Sequence, residues 1–120
     1  MASFDRFEEI DAWKKARVLV AEIYAVTRRE PFRLDRGLVI QIRRAGVSIM
    51  LNIAEGCARR TDKEFTQYLF IASGSIAELK SALYIALDQG YLVDQTFKQL
   101  FGRADEISRM ISGLIKYLRT

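Results

Sequence analysis

The sequence predicts an all-α fold, an antiparallel up-down-up-down four-helix bundle, and three observations carry that reading. Four long segments repeat apolar residues at spacings of three and four. Breakers are scarce, with one proline and seven glycines in 120 residues, too few for the many turns of an all-β chain. The stretches between the periodic segments are short, which makes sequential helices antiparallel neighbours. Half the residues are apolar and 28% are charged, a globular composition that suits one domain over residues 1–120.

The first helix is expected over about Phe7 to Arg29, with Ile10, Trp13, Ala16, Val20, Ile23, Tyr24 and Thr27 on one face. Arg28 and Arg29 complement the negative end of its dipole, and Pro31 stops it. After the connection Glu30 to Asp35, the Asp35 carboxylate can cap the second helix by accepting from its exposed amides.

That second helix is apolar on two sides. Leu38, Ile42, Ala45, Ile49, Ile53 and Cys57 form one stripe, widened by Val39, Gly46 and Met50. Ile40, Val47, Leu51, Ala54 and Ala58 form a second, roughly opposite. A helix on the skin of a small monomer needs only one such face. The second stripe is therefore a candidate subunit interface, joined by surplus apolar positions of the third helix, Phe70, Ile71, Tyr84 and Ile85.

Gly56, Arg59 and Arg60 mark the end of the second helix, and Thr61-Asp62-Lys63-Glu64 matches a capping box that opens a third. Phe65, Leu69, Ala72, Ile76, Leu79, Leu83 and Ala86 make its core face, while the small run Ala72-Ser73-Gly74-Ser75 suggests close approach of a neighbour. Gly90 reads as a left-handed stop with Tyr91 and Leu92 as its hydrophobic contact. Asp94 can cap the fourth helix, where Phe97, Leu100, Ala104, Ile107, Ile111, Leu114 and Leu118 keep an a/d seam.

Composition also bounds function. No histidine is present, which removes the usual general base and the commonest metal ligand. Glu22, Glu55, Glu78 and Glu106 lack the histidine partners of a di-metal bundle site, and no glycine loop cradles phosphate. The expectation is a protein that is not an enzyme, with no cofactor and no metal. The one cysteine, Cys57, falls on the apolar stripe and reads as a small core residue. Apolar runs fall far short of the roughly 20 residues that span a bilayer, and the acidic N-terminal region is unlike a signal peptide. No membrane partner and a cytoplasmic location are the expectations.

Net charge is +4, and 13 of the 19 basic residues are arginine, whose planar fork suits phosphate and carboxylate. Arg43 and Arg44 lie mid-helix between the two stripes; Arg28, Arg29, Arg33 and Arg36 gather at one end of an up-down bundle, and Arg59, Arg60 and Lys63 at the other. A solvated face is the default for such charges; the alternative is contact with RNA, by Arg43, Arg44, Arg59 and Arg60 first and by Arg28, Arg29 and Arg33 second. Asn52 and Glu55 read as structural, Asn52 bonding across the bundle and Glu55 pairing with Arg59 at i+4.

Gln41-Ile42-Arg43-Arg44-Ala45-Gly46-Val47-Ser48-Ile49, then Asn52-Ile53-Ala54-Glu55-Gly56 and Arg59, closely resembles the signature of small bacterial proteins encoded in intervening sequences of 23S ribosomal RNA genes. Ile10-Asp11-Ala12-Trp13-Lys14-Lys15-Ala16, Lys63-Glu64-Phe65 and Ala72-Ser73-Gly74-Ser75-Ile76-Ala77-Glu78-Leu79 extend the likeness along nearly the whole chain. The resemblance implies an up-down bundle that assembles into a homo-oligomer, typically a pentamer, and association with RNA or a ribonucleoprotein, a role read chiefly from where the genes lie. One departure stands out: Met50-Leu51 replaces the family's usual proline and small residue, which restores a backbone donor and straightens the helix. The leading functional expectation is an RNA adaptor with basic rims. A protein-protein interaction module with no nucleic-acid role is the alternative.

Overall fold

The computed structural model describes residues 4–120. Four helices dominate it: α1 (Asp11–Thr27), α2 (Arg36–Cys57), α3 (Asp62–Asp88) and α4 (Asp94–Arg119), with short 3-10 turns at Phe7–Glu9 and Phe32–Leu34. Helices of 22 to 27 residues are about 33–40 Å long at 1.5 Å per residue, so α2, α3 and α4 must run along the 46 Å axis of a body only 20 × 19 Å across. Short connections reverse the chain each time. The packed pairs are α1–α2, α2–α3, α3–α4 and α1–α4, with α2–α3 the most extensive.

The termini follow local chemistry. Asp35 Oδ1 accepts from the Leu38 amide at 3.2 Å, capping α2 as expected, while its Oδ2 accepts from the Tyr91 hydroxyl at 2.9 Å. Tyr91 also stacks on the buried ring of Phe32, so one carboxylate ties together the two loops at this end. That hydrogen bond, with burial and the Asp35 charge, raises the Tyr91 phenol above its ordinary pKa. Thr61 caps α3 by accepting from the Glu64 amide at 3.1 Å. The reciprocal arm differs from the usual box, because the Glu64 carboxylate accepts from the Thr61 hydroxyl at 3.1 Å. Gly90, at φ +78°, ends α3 in a Schellman arrangement: the Tyr91 amide reaches the Ala86 carbonyl and the Gly90 amide reaches that of Leu87.

Three details correct the sequence reading. The extended backbone at Ile10 divides the first segment, so α1 begins at Asp11. Val93 is the N-cap of α4, and Asp94 is its first residue, where its charge still complements the dipole. In α1 the fully buried line is Ala12, Ala16, Leu19, Ile23, Val26 and Thr27, whereas Trp13, Val20 and Tyr24 are half-covered. The helix is turned so that this second line faces its edge toward α2, where Val20 and Ile23 meet Gly46.

The core is continuous from Ile10 to Leu118. Every expected core residue of α3 is buried, and in α4 the seam gains Ile115 while Phe97 and Leu114 are only half-covered. Outside it, Glu22 of α1 accepts from Gln99 and pairs with Arg103, and Lys80 of α3 pairs with Asp105, so α4 is held from both sides by ions as well as by packing. By length and composition alone α2 and α3 are long and apolar enough to cross a membrane, but each also supplies a face of this core.

Candidate functional site

The motif of α2 resolves into three stripes with different work. The first is polar and faces α3. Gln41, Arg44, Ser48, Asn52, Glu55 and Arg59 recur at spacings of three and four, so they share one side of the helix. Asn52 Nδ2 donates to the Ser48 carbonyl at 2.8 Å and to Ser48 Oγ at 3.0 Å. Ser48 Oγ lies 2.8 Å from Ser75 Oγ on α3, and Ser75 Oγ donates to the Ile71 carbonyl at 3.3 Å. A carbonyl can only accept, so the hydroxyl protons have one order: Asn52 to Ser48, Ser48 to Ser75, Ser75 to Ile71. The sequence suggested that Asn52 bonds across the bundle; the crossing is instead made by the short Ser48 side chain, so α2 and α3 lie close together here.

Gly56 shows how close. A Cβ built there would lie 2.8 Å from Phe65 Cδ1, 2.9 Å from Tyr68 Cβ and 3.2 Å from the Phe65 carbonyl. Gly74, at the centre of the small-residue run expected to allow close packing, is exposed and has open space around it. Near Gly56, Glu55 pairs with Arg59 at 3.6 Å, as the spacing suggested, and Arg59 also donates to the Tyr68 hydroxyl and lies 4.9 Å over its ring. Arg59 is thereby held against α3.

The second stripe faces α1. Arg43 Nε donates to Thr27 Oγ1 at 2.9 Å, and its guanidinium carbon lies 4.4 Å from the centre of the Tyr24 ring. The fully buried Thr27 hydroxyl spends its proton on the Ile23 carbonyl at 2.7 Å, so its lone pair is free to hold the arginine. Arg43 and Arg44 thus diverge: one is pinned to α1, and the other stands in solvent on the α3 side.

The third stripe points outward. Leu51 is 62% exposed and Ile40 54%, with Val47 and Ala54 half-covered on the same stripe. Of the α3 candidates, Ile85 lines a groove against α2 with Leu38, Gln41, Ala45 and Glu78, and Ile71 lies on the same side at helical spacing. Phe70 and Tyr84 lie toward α4, Phe70 beside Leu118 and Arg119, Tyr84 against Phe97 and Phe101. The residues expected at one interface therefore divide between two faces.

Antiparallel packing places Arg28, Arg29, Arg33 and Arg36 at one end of the bundle and Arg59, Arg60 and Lys63 at the other, where Lys116 and Arg119 of α4 join them. Arg33 pairs with Glu30; Arg28, Arg29, Arg36, Arg44 and Arg60 form no ion pair with another described residue. Cys57 is half-buried rather than in the core, and burial, then the charges of Glu9, Glu8 and Asp5, push its thiol pKa up. No cluster of three potential metal ligands occurs among the described residues.

Sequence reasoning missed the polar stripe as a unit and the pinning of Arg43. The 3-4-4-3-4 recurrence of Gln41, Arg44, Ser48, Asn52, Glu55 and Arg59 was the available signal for the first; a threonine in another helix gave none for the second.

A search of the curated proteins gives no match. The chain matches a crystal structure of a protein with unknown function from the S23 ribosomal protein family of Bacteroides thetaiotaomicron VPI-5482, with TM-score 0.80 and 22% identity over 88% of this chain and 98% of that one. The likeness shows a shared fold. The model of the 23S rRNA-intervening sequence proteins matches residues 8–113, which include the whole of α2 and α3 with the stripes described above, and this chain belongs to that family.

Proposed function

We propose that this chain is a non-enzymatic, homo-oligomeric adaptor of the cytoplasm, a pentamer, whose basic ends bind structured RNA or a ribonucleoprotein. The observation that supports it best is the surplus apolar surface of the most intimately packed helix pair: Ile40 and Leu51 on α2, Ile71 and Ile85 on α3, each about half exposed or more. Exposed large apolar side chains concentrated on a small protein mark an interaction site. Arginines with no acidic partner among the described residues sit at both ends and at Arg44, available to phosphate, and the names of the family and of the S23 structure point toward ribosomal RNA. Copies in a ring repeat each arginine group around a rim and multiply a weak contact.

The test is light scattering coupled to size exclusion, with and without fragmented ribosomal RNA, at about 50 and 200 mM salt. Four phosphate contacts weaken binding about 100-fold over that range. Leu51→Glu gives monomers; a well-folded oligomer of that variant refutes the interface. Arg44→Gln with Arg60→Gln leaves the oligomer intact and weakens RNA binding. An oligomer indifferent to RNA at both salts refutes the RNA role and turns the search to protein partners.

A further inference from the structure

Phe70 is expected at the oligomer interface from the sequence, yet it lies on the α4 side and lines a groove of about 410 Å³ between the first turns of α3 and the last turn of α4. Phe70 is 52% exposed. Around it stand Thr66, Gln67, Leu118, two cations, Lys63 and Arg119, and Asp62, which is itself engaged in a contact. An open aromatic ring flanked by cations and by a side-chain amide is the combination that takes unpaired nucleic-acid bases: the ring stacks, the amide reads an edge, and the cations meet the backbone.

We propose that this groove binds single-stranded RNA, one unpaired base stacking between Phe70 and the Arg119 guanidinium with Lys63 on a flanking phosphate. The inference rests on the RNA reading above and adds to it a strand type and a place. Arg119 already faces the ring at 5.9 Å. A base between the two needs two stacking distances of about 3.4 Å, so an exposed arginine in the last turn of the chain must move outward by only about one ångström. Gln67 offers both a donor and an acceptor one turn from Phe70. Arg60, exposed at the same end, extends the positive track toward α2. A duplex, whose bases are already stacked and paired, has no free face to give the ring.

The measurement is anisotropy of a labelled, unstructured oligonucleotide of about twelve nucleotides, inside the usual range of single-strand sites, beside the same sequence in a duplex and adenosine monophosphate as competitor. Phe70→Leu keeps the apolar bulk and removes the ring. It weakens single-strand binding about tenfold, the scale of one lost base stack, leaves the duplex affinity within twofold, and leaves the oligomer unchanged by light scattering; Phe70→Tyr retains binding. Lys63→Gln lowers the salt slope by about 0.7. The proposal is overturned if Phe70→Leu binds the single strand as the wild type does, if it loses duplex and single strand equally, if it dissociates the oligomer, or if the mononucleotide competes as tightly as the strand. In those cases binding of structured RNA with its salt dependence still stands. If the wild type binds neither form of RNA, both readings fall together.

Discussion

The same substitution, glycine to alanine, is expected to act in opposite directions at two positions of this bundle. In a helix, alanine is favoured over glycine by about 1 kcal/mol. At Gly74 an added methyl meets nothing within 4 Å, so Gly74→Ala keeps the whole gain. At Gly56 the methyl would sit under 3.0 Å from both Phe65 Cδ1 and Tyr68 Cβ and 3.2 Å from a carbonyl oxygen. A Cβ and a carbonyl cannot rotate aside, so relief requires the first turns of α3 to move off α2. Overpacking costs of about 1–3 kcal/mol are usual, and the upper end applies here because the seam itself must open. The net for Gly56→Ala is then a loss of about 2 kcal/mol. For a chain of this length the unfolding entropy makes 1 kcal/mol worth about 4 °C, so thermal unfolding by circular dichroism at matched protein concentration should place Gly74→Ala about 4 °C above the wild type and Gly56→Ala about 8 °C below it. A Gly56→Ala protein that melts at or above the wild type would refute the account of the close α2–α3 approach.

Other expectations follow from the same geometry. In a double-mutant cycle, Ser48→Ala and Ser75→Ala should show a coupling of about 0.5–1.5 kcal/mol by denaturant unfolding, since either change alone breaks the one side-chain hydrogen bond between them; additive effects would remove the cross-helix link. Thr61→Ala should lower stability by about 1 kcal/mol through loss of the α3 cap, read as a fall of about 4 °C in melting temperature. The Cys57 thiol, raised by burial and by Glu9, Glu8 and Asp5, holds less thiolate than a free cysteine at pH 8, so it should react slowly with a disulfide reagent in the native protein and at the ordinary rate in denaturant. Its rate should climb only as the pH passes the ordinary thiol range. Equal native and denatured rates at pH 8 would contradict the burial argument.

The fold was legible because its determinants are local. Asp35, Thr61 and Gly90 act within a turn of themselves, and their residue types announce what they do. Asp94 misled because a carboxylate serves equally as N-cap or first-turn residue, and Val93 took the cap with no side-chain bond. The site was legible as a list and not as an arrangement. Periodicity placed Leu51 and Ile40 outward correctly, but it could not tell that Phe70 leans toward α4 while Ile85 lines the groove against α2, since both occupy the edge of one apolar arc and only the neighbouring helices divide it. Arg43 and Arg44 are adjacent in sequence and alike in type; what separates them is Thr27, sixteen residues away on α1. Gly74 departs from its expectation of close packing and meets solvent, while Gly46, on the core-facing stripe, meets Ile23 as its place there implies.

The bundle is a rod 46 Å long, and its two arginine groups occupy opposite tips, with the groove beside Phe70 at only one of them. Reach then becomes a sorting rule. A stacked strand that touches both tips along one molecule must extend over about thirteen or fourteen nucleotides at about 3.4 Å each, whereas a hairpin loop or short overhang can occupy a single tip. Length of ligand, independent of its sequence, decides whether one molecule of this protein meets it once or twice.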